Sequence, residues 1–273
     1  MNSSRFFKTG FTLFFLLSQI AMSPLFSQDL EVAPIRVNFN IAPGETQSRT
    51  VAVKNHSNRK ETVTMRIQDF LVQRTGEREM LAGGSTRNTI ANWITVSPAI
   101  LELEPNEEKT VQLTLQAPVD DYRSRWGVMS FATAVEQPVF SADRELQTGV
   151  AISGRIDIFL SYNPAGGDPG RLEISNLRET DSNNSQERRF LVNLENVGER
   201  IINGRVFLIA SNLQTASEER FRTVEVATYP QTVRTMELVL PATLPPGRYS
   251  LAAILDYPGS ASLKGTQIII DVE

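Results

Sequence analysis

The sequence predicts an all-β protein made of two tandem β-sandwich domains that follow a cleaved signal peptide. Most apolar residues of the body alternate with polar ones at a period of two, as in half-buried strands, and no segment carries the stripe of an amphipathic helix. Turn-forming residues separate these runs about every eight to twelve residues, as in sandwich folds. One cluster of Gly and Pro, at 164–170, interrupts the pattern, and the alternation then restarts.

The first 27 residues have the three-part layout of a secretory signal peptide. Arg5 and Lys8 give a positive start, residues 11–20 are almost wholly apolar, and cleavage is expected after Ser27. An uncleaved membrane anchor is the alternative. Because the apolar run has about half of the roughly 20 residues that a spanning helix needs, cleavage is the favoured interpretation, with no stable membrane span afterwards.

The first domain is expected at residues 28–163 and contains five alternating segments. In each of them, apolar side chains of one parity would face the core. The stretch 80–92 looks least like a strand and is expected to be an exposed loop. The five predicted strands are 49–54, 62–67, 109–115, 127–135 and 150–160.

The Gly- and Pro-rich segment 164–170 cannot continue a strand and is expected to be a hinge. The second domain is then expected at 171–273. An Asn-led turn ends a strand at Asn55, and a second one does so at Asn196, which fits two sandwiches of the same general kind. The six strands predicted here are 189–194, 204–209, 223–226, 236–240, 249–255 and 267–272.

The composition excludes several kinds of chemistry. The chain of 273 residues has no cysteine, one histidine, and 27 basic against 31 acidic residues, a net charge of −4. Disulfides, thiolate metal sites, cysteine nucleophiles and two-histidine metal sites are therefore impossible. The single histidine, His56, lies among turn residues and is expected to be exposed rather than a general base. We predict a protein that is not an enzyme, without catalytic residue, metal or cofactor, and with no nucleic-acid partner.

Several segments of the first half resemble one known family. They are the Arg-containing aliphatic segment 33–39, the turn at Pro43 and Gly44, the Asn-led turn at Asn55, the segment 93–98, and the run 153–164 that ends in Tyr-Asn-Pro. Over residues 30–164 in order, and more weakly at 254–259, the chain resembles the periplasmic chaperones that assemble pili and fimbriae.

This resemblance implies two immunoglobulin-like domains, a periplasmic location, and exported subunits, pilin-like or secretion clients, as partners. In that family, two basic residues between the domains hold the carboxyl terminus of a client. The last strand of the first domain lends alternating apolar side chains to the client. Carried over to this sequence, Arg36 matches the first basic position. The residues that match the apolar row are Val150, Ile152, Ile156 and Ile158.

The second basic position departs from the family pattern. Asp157 stands where the family has a Lys, and Gly154 interrupts the apolar row. An Asp beside an anchored carboxylate would repel it. Arg155 is a candidate client-binding residue that could compensate, although strand alternation puts it on the same face as Asp157. The client is therefore held differently, or the chain keeps the fold without the family's usual task.

These candidate residues also have a purely structural interpretation. Arg36 can be an ordinary exposed strand residue, and the apolar row of 150–160 can be core. The function that we predict is client binding by β-strand complementation. The alternative is a non-enzymatic structural or adhesion module of the cell envelope, since a fold alone does not fix a function. A third hypothesis, a hydrolase, predicts a deep polar pocket with clustered acidic residues.

Overall fold

The computed structural model describes residues 29–133, 154–181, 187–241 and 243–273. Within these ranges the chain is almost entirely β-strand, and a 3₁₀ turn at Ala91–Trp93 is the only helical element. The predicted all-β class is therefore confirmed. No helix of this described part is long and apolar enough to cross a membrane. The predicted signal peptide, Val150 and Ile152 lie outside the described residues.

The first sandwich has ten strands among the described residues. They are β1 Leu30–Ala33, β2 Arg36–Phe39, β3 Thr46–Asn55, β4 Glu61–Val72, β5 Arg78–Ala82, β6 Ile94–Ser97, β7 Ile100–Leu103, β8 Glu108–Gln116, β9 Arg125–Thr133 and β10 Arg155–Tyr162. One sheet has the order β1-β3-β8-β6, and the other has the order β2-β10-β9-β4-β5, with β7 also paired to β4. We call the second of these the cleft sheet.

The core of the first sandwich follows the predicted alternation. Val111, Leu113 and Leu115 of β8 are fully buried, and the polar residues between them lie on the other face. Met129 and Phe131 of β9 close the same core from the cleft sheet. Burial of a side chain of this size contributes about 1.5–3 kcal/mol, so this alternation accounts for much of the stability of the fold.

The second sandwich has eight strands in the described part of the chain. They are β11 Leu172–Thr180, β12 Glu187–Asn196, β13 Ile202–Asn212, β14 Glu218–Arg220, β15 Val224–Thr228, β16 Val233–Pro241, β17 Gly247–Asp256 and β18 Lys264–Val272. The sheet orders are β11-β12-β16 and β14-β13-β17-β18, and β15 also pairs with β13. The two sandwiches have separate cores. The domain boundaries at 163 and 171 stay a prediction.

The structure corrects several predicted elements. The prediction of an exposed loop at 80–92 is wrong for its first three residues, because β5 pairs with β4 from Arg78 to Ala82. Hairpin hydrogen bonds there outweigh a sequence without clear alternation. The strand expected to end at 160 continues to Tyr162, because β2 pairs with its last four residues. All six strands predicted in the second half are present. Two strands of the second half, β11 and β14, were not predicted, and the three residues of β14, Glu218–Arg220, are polar and exposed.

Both sandwiches contain the same asparagine corner. Asn55 is fully buried, and its Nδ2 donates to the carbonyl oxygen of Arg59 at 2.8 Å while its Oδ1 accepts from the Ser57 N–H at 2.9 Å. Asn196 is equally buried, with the corresponding bonds to the Arg200 carbonyl at 2.8 Å and from the Gly198 N–H at 3.0 Å. The similarity of the two sequences at these turns therefore reflects one shared local structure.

The two sandwiches contact one another through polar groups near the hinge. Glu199 pairs with Arg87 at 2.7 Å, and its carbonyl accepts from the Ser124 N–H at 2.8 Å. The Ser124 Oγ accepts from the Ile201 N–H at 2.9 Å. Arg200 donates to the carbonyl oxygen of Pro164. The loop after Asn196 is therefore fastened to the first sandwich by backbone as well as side-chain bonds.

An ion cluster supports the loop that receives these bonds. Asp121 pairs with Arg123 at 2.9 Å and also with the buried Arg125. Burial opposes ionisation of Asp121, but hydrogen bonds from the two guanidiniums outweigh it and hold the pKa of the carboxyl well below its usual value. The Asp121 side chain is therefore held inside this cluster, with 11% of its surface exposed.

Candidate functional site

A cleft of about 690 Å³ opens between the two sandwiches. Its first wall is the outward face of the cleft sheet, and its second wall comes from β13, β15 and β16. Two polypeptide sheets and a hinge therefore surround the cleft, as at many ligand sites between domains. The lining residues that matter below are Arg36, Phe70, Arg78, Phe159, Tyr229 and Arg234.

Strand alternation places the first-wall residues. In β10, Ile158, Leu160 and Tyr162 are buried in the core, so the intervening Phe159 faces the cleft. Arg36 is the register partner of Phe159 in the parallel pair of β2 and β10. Because register partners lie side by side on one face of a sheet, Arg36 also faces the cleft, and it is exposed.

Two guanidinium groups flank the Phe159 ring. The Arg36 Cζ lies 5.9 Å from the ring centroid and the Arg78 Cζ lies 4.5 Å from it. Arg78 also lies 5.6 Å from the centroid of the Phe70 ring. Both distances to Phe159 are in the range of cation–π attraction, which contributes about 0.5–1 kcal/mol at exposed sites. The aromatic ring thus holds two positive charges close together, and neither guanidinium pairs with a carboxylate in the part of the chain that the structure describes.

Tyr229 belongs to the second wall and lies near all three cleft arginines. Burial raises the pKa of its hydroxyl, while the positive charges of Arg78, Arg36 and Arg234 oppose that increase. Its ring packs edge-to-face on Phe70, with 5.4 Å between the centroids, and lies 5.0 Å from the Trp126 ring. Tyr229 therefore joins the floor of the cleft to the second sandwich.

The floor of the cleft is a small apolar cluster outside the two main cores. Phe70, Trp126 and Val128 are almost fully buried, and Phe159 and Tyr229 pack against them. The Trp126 Nε1 donates to the Phe70 carbonyl oxygen at 3.0 Å, which satisfies the one polar atom of its side chain. The cluster gives the charged side chains above it a rigid support.

The cleft sheet has an open backbone edge beside the cleft. On one side β10 pairs with β9 along its whole length, whereas on the other side, among the described residues, β2 pairs with residues 159–162 and leaves 155–158 open. The Thr133 N–H donates to the Gly154 carbonyl toward β9, and the Phe159 N–H donates to the Ile35 carbonyl toward β2. By strand alternation the backbone N–H and C=O groups of Arg155 and Asp157 therefore face the open side.

Arg155 and Asp157 neutralise each other at this edge. The Arg155 Nε lies 2.8 Å from one carboxylate oxygen of Asp157, and its Nη2 lies 3.0 Å from the other. The same Nη2 donates to Gln68 at 3.0 Å. Hydrogen bonding to Asp157 raises the pKa of Arg155. The prediction that both side chains share one face is confirmed, and the acid at the family's Lys position carries its own counter-ion.

The other candidate residues are distributed between the core and the surface. Ile158 is fully buried in the first core and Ile156 is half-buried against it, so the apolar face of described β10 lies inside the sandwich. The role of Ile156 and Ile158 in client binding stays a prediction, as does that of Val150 and Ile152. His56 is exposed and pairs with Glu31, with 2.6 Å between the Nε2 and Oε2 atoms.

Sequence reasoning identified Arg36 but missed Arg78, Arg234, Tyr229 and the aromatic floor. One signal was present. Phe159 is a large apolar residue on the parity opposite to the core row predicted for its strand, which includes Ile156 and Ile158. Such off-parity residues indicate that the outward face of a sheet is covered as well. The arginines gave no signal, because the elements that carry them approach one another only in the folded chain.

No family model and no curated protein matches the chain. Among solved structures it is similar to the class 5 fimbriae chaperone CfaA, with 13% identity, 88% of this chain and 98% of that chain covered, and a TM-score of 0.45. It is also similar to the chaperone–tip adhesion subunit complex CsuC–CsuE of Acinetobacter baumannii, with 12% identity, 88% of this chain and 97% of that chain covered, and a TM-score of 0.45. A third similar structure is the SafA pilin–SafB chaperone complex of Salmonella enterica, with 15% identity, 90% of this chain and 98% of that chain covered, and a TM-score of 0.39.

These three solved structures contain chaperones of pili or fimbriae, the family that the sequence resembles. The architecture stands on the strand order and the burial pattern of the chain itself.

Proposed function

We propose that the protein is a periplasmic chaperone-like protein that binds exported, pilus-like subunits by β-strand complementation. The observation that carries the proposal is that an open backbone edge and a cleft residue follow one another along β10. Its open backbone edge at residues 155–158 leads directly into Phe159 and the arginine-lined cleft. An extended client segment paired with the edge would therefore direct its terminus toward Arg36.

The open edge supplies affinity without regard to the client's sequence. Each N–H and C=O of Arg155 and Asp157 that faces the open side can bond to an added strand, which is the physical basis of β-augmentation. Register is then set by alternate side chains. In the family that the sequence resembles, this part is played by the strand positions matched here by Val150, Ile152, Ile156 and Ile158.

Arg36 supplies an anchor for the carboxyl terminus of the client. It is exposed, lines the cleft, and forms no ion pair among the described residues. A guanidinium can bind a carboxylate through two parallel N–H···O bonds, so it fixes the position of a chain end as well as attracting it. Phe159 restricts the guanidinium from one side.

The export of both protein and client supports a periplasmic site of action. The predicted signal peptide ending at Ser27 would deliver the chain there, and a chain without cysteine needs no disulfide formation after export. Partners would then be exported subunits that lack a strand of their own sheet.

The edge is tested by two substitutions at one position. Asp157→Pro removes the N–H that faces the open side and leaves the bonds to β9, whereas Asp157→Ala removes only the carboxylate. The tagged full chain is purified from its source cells and the co-purifying exported proteins are identified by mass spectrometry. We expect the alanine variant to retain its subunits and the proline variant to lose them. Equal retention by both variants, with unchanged unfolding curves, would exclude strand complementation at this edge.

The anchor and the apolar row are tested in the same assay. We expect Arg36→Ala and Ile152→Asp to lose the client, and Arg49→Ala to retain it. Arg49 is an exposed arginine on β3, in the sheet away from the cleft, and serves as a matched control. Full retention by both test variants would favour the alternative, a structural or adhesion module whose stable contacts lie elsewhere.

A further inference from the structure

The cleft carries more positive charge than one client carboxylate can neutralise. Among the described residues, its charged lining residues are Arg36, Arg78 and Arg234 against the single acid Glu225, which gives a net charge of +2. None of these arginines forms an ion pair with a carboxylate in the described part of the chain. Arg155 of the cleft sheet and Arg189 of β12, by contrast, are paired with Asp157 and Glu237.

The three arginines fall into two groups. Arg36 and Arg78 both lie over the Phe159 ring and belong to the wall of the first sandwich. Arg234 comes from β16 in the second sandwich and is half-buried. Because Tyr229 lies within electrostatic reach of all three, the two groups face the same space from opposite walls.

The position of Arg234 is fixed by the tip of the hairpin between β4 and β5. The Thr235 N–H donates to the Arg74 carbonyl oxygen at 2.8 Å, which joins the tip to β16. Gly76 has φ +91°, and a Cβ atom there would lie 2.8 Å from the Arg234 Nη2. The hairpin tip therefore leaves room for a guanidinium where any side chain would displace it.

We propose that the cleft selects clients whose carboxyl-terminal end carries two negative charges: the terminal carboxylate and an acidic side chain at the last or next-to-last residue. This inference rests on the proposed function and specifies its client class. Arg36 and Arg78 bind the terminal carboxylate over Phe159. Arg234 binds the acidic side chain from the opposite wall, so that a doubly charged end balances the net charge of the lining.

Four heptapeptides test the proposal by fluorescence anisotropy against the full mature chain. They share five residues and end in Asp-Asp or Asn-Asn, each as a free acid and as an amide; Asp-Asp offers an acidic side chain at both the last and the next-to-last position, of which Arg234 would bind one. We expect the free acid to bind about tenfold more tightly than the amide, and the Asp-Asp end to bind about tenfold more tightly than Asn-Asn, since a charged hydrogen bond contributes about one decade of affinity.

Single substitutions assign the two carboxylates. We expect Arg234→Gln to abolish the preference for Asp-Asp over Asn-Asn while the preference for free acid over amide remains. Arg36→Gln should weaken the preference for free acid over amide, since Arg78 still contacts the carboxylate, and should leave the preference for Asp-Asp over Asn-Asn unchanged. Arg49→Gln, on the sheet away from the cleft, should change neither.

The possible failures are distinguishable. If Asp-Asp and Asn-Asn ends bind equally while the free acid still exceeds the amide, the two-charge selection is wrong and the proposed carboxylate anchor stands. If free acid and amide also bind equally, the anchor itself is wrong. If Arg234→Gln leaves the Asp-Asp preference intact, the assignment of Arg234 is wrong.

Discussion

The two asparagine corners show how one local structure acquires two different roles. In both, a buried Asn closes the turn by donating to the carbonyl four residues ahead and accepting from the N–H two residues ahead. Both also bridge to a neighbouring strand or loop, Asn55 to the carbonyl of Leu103 at 3.3 Å and Asn196 to that of Thr228 at 3.3 Å.

The loops that follow the two Asn residues differ in what they contact. After Asn55, the side chains pair within the first sandwich, Lys60 with Glu102 at 2.7 Å and Arg59 with the buried Glu61 at 2.5 Å. After Asn196, Glu199 and Ile201 bond to residues of the first sandwich across the hinge.

We infer that each asparagine corner stabilises its own sandwich, whereas the loop that follows it determines whether the corner also contacts the other sandwich. The first corner can lose its exposed ion pairs without consequence for the cleft. The second corner helps to fix the relative position of the two walls of the cleft, because the backbone of its loop is hydrogen-bonded to Ser124. Removing equivalent residues in the two corners should therefore have equal effects on stability and unequal effects on binding.

The largest effect is expected from the two asparagines. Asn55→Ala and Asn196→Ala should each reduce the free energy of unfolding of their own sandwich by about 3 kcal/mol, because each removes the several hydrogen bonds that a buried amide forms with the backbone of its turn and of a neighbouring segment. Urea unfolding measures this loss. Only Asn196→Ala should also weaken binding of the free-acid Asp-Asp heptapeptide, and equal weakening by both variants would contradict the separation of roles.

The next largest effect concerns the loop that receives the second corner. Asp121→Asn should reduce the free energy of unfolding by about 2 kcal/mol at pH 7, since it removes charged hydrogen bonds to Arg123 and Arg125. The folded pKa of Asp121 lies below the unfolded one. Its contribution is therefore complete above the unfolded value of about 3.9 and is lost as the pH falls through the folded value.

Acid titration of stability provides the measurement. The unfolding curves of wild type and Asp121→Asn should converge as the pH is lowered below about 4. Asp120→Asn, at the exposed neighbouring position, should follow the wild type at every pH. A constant difference between wild type and Asp121→Asn down to pH 2 would show that the charge of Asp121 is not the cause.

A smaller effect is expected from two buried serines. Ser124→Ala removes the acceptor of the Ile201 N–H, and Ser57→Ala removes a bond of 3.0 Å to the Arg59 carbonyl oxygen. Each should reduce the free energy of unfolding by about 1 kcal/mol. Ser124→Ala should in addition lower the affinity for the heptapeptide. If Ser57→Ala lowered that affinity equally, the loss would reflect reduced stability in general rather than a changed cleft.

The smallest effect is expected from the exposed ion pairs. Glu199→Gln should reduce the free energy of unfolding by about 0.5 kcal/mol, since the side chains of Arg87 and Glu199 are both largely exposed. Glu102→Gln, in the exposed pair of the first corner, should leave the unfolding curve unchanged. A loss of heptapeptide affinity above twofold in Glu199→Gln alone would sharpen the comparison, because it would assign an orienting role to one side chain.

The strand pattern of this protein was readable because burial repeats locally. Val111, Leu113 and Leu115 alternate in sequence and all three are buried, since successive side chains of a strand point to opposite faces. The two asparagine corners were readable for the same reason, as their hydrogen bonds span two to four residues. The strand β5 escaped prediction because its pairing with β4, rather than its own composition, stabilises it.

The sequence by itself determined the all-β class, the absence of cysteine chemistry and the candidate Arg36. Only the tertiary structure decided that Arg36, Arg78 and Arg234 line one cleft, since these residues lie far apart in the chain on β2, β5 and β16. It also decided that the carboxylate of Asp157 is occupied by Arg155. Periodicity reports which face of a strand is buried, whereas the charge of a cleft depends on which strands the folded chain brings together.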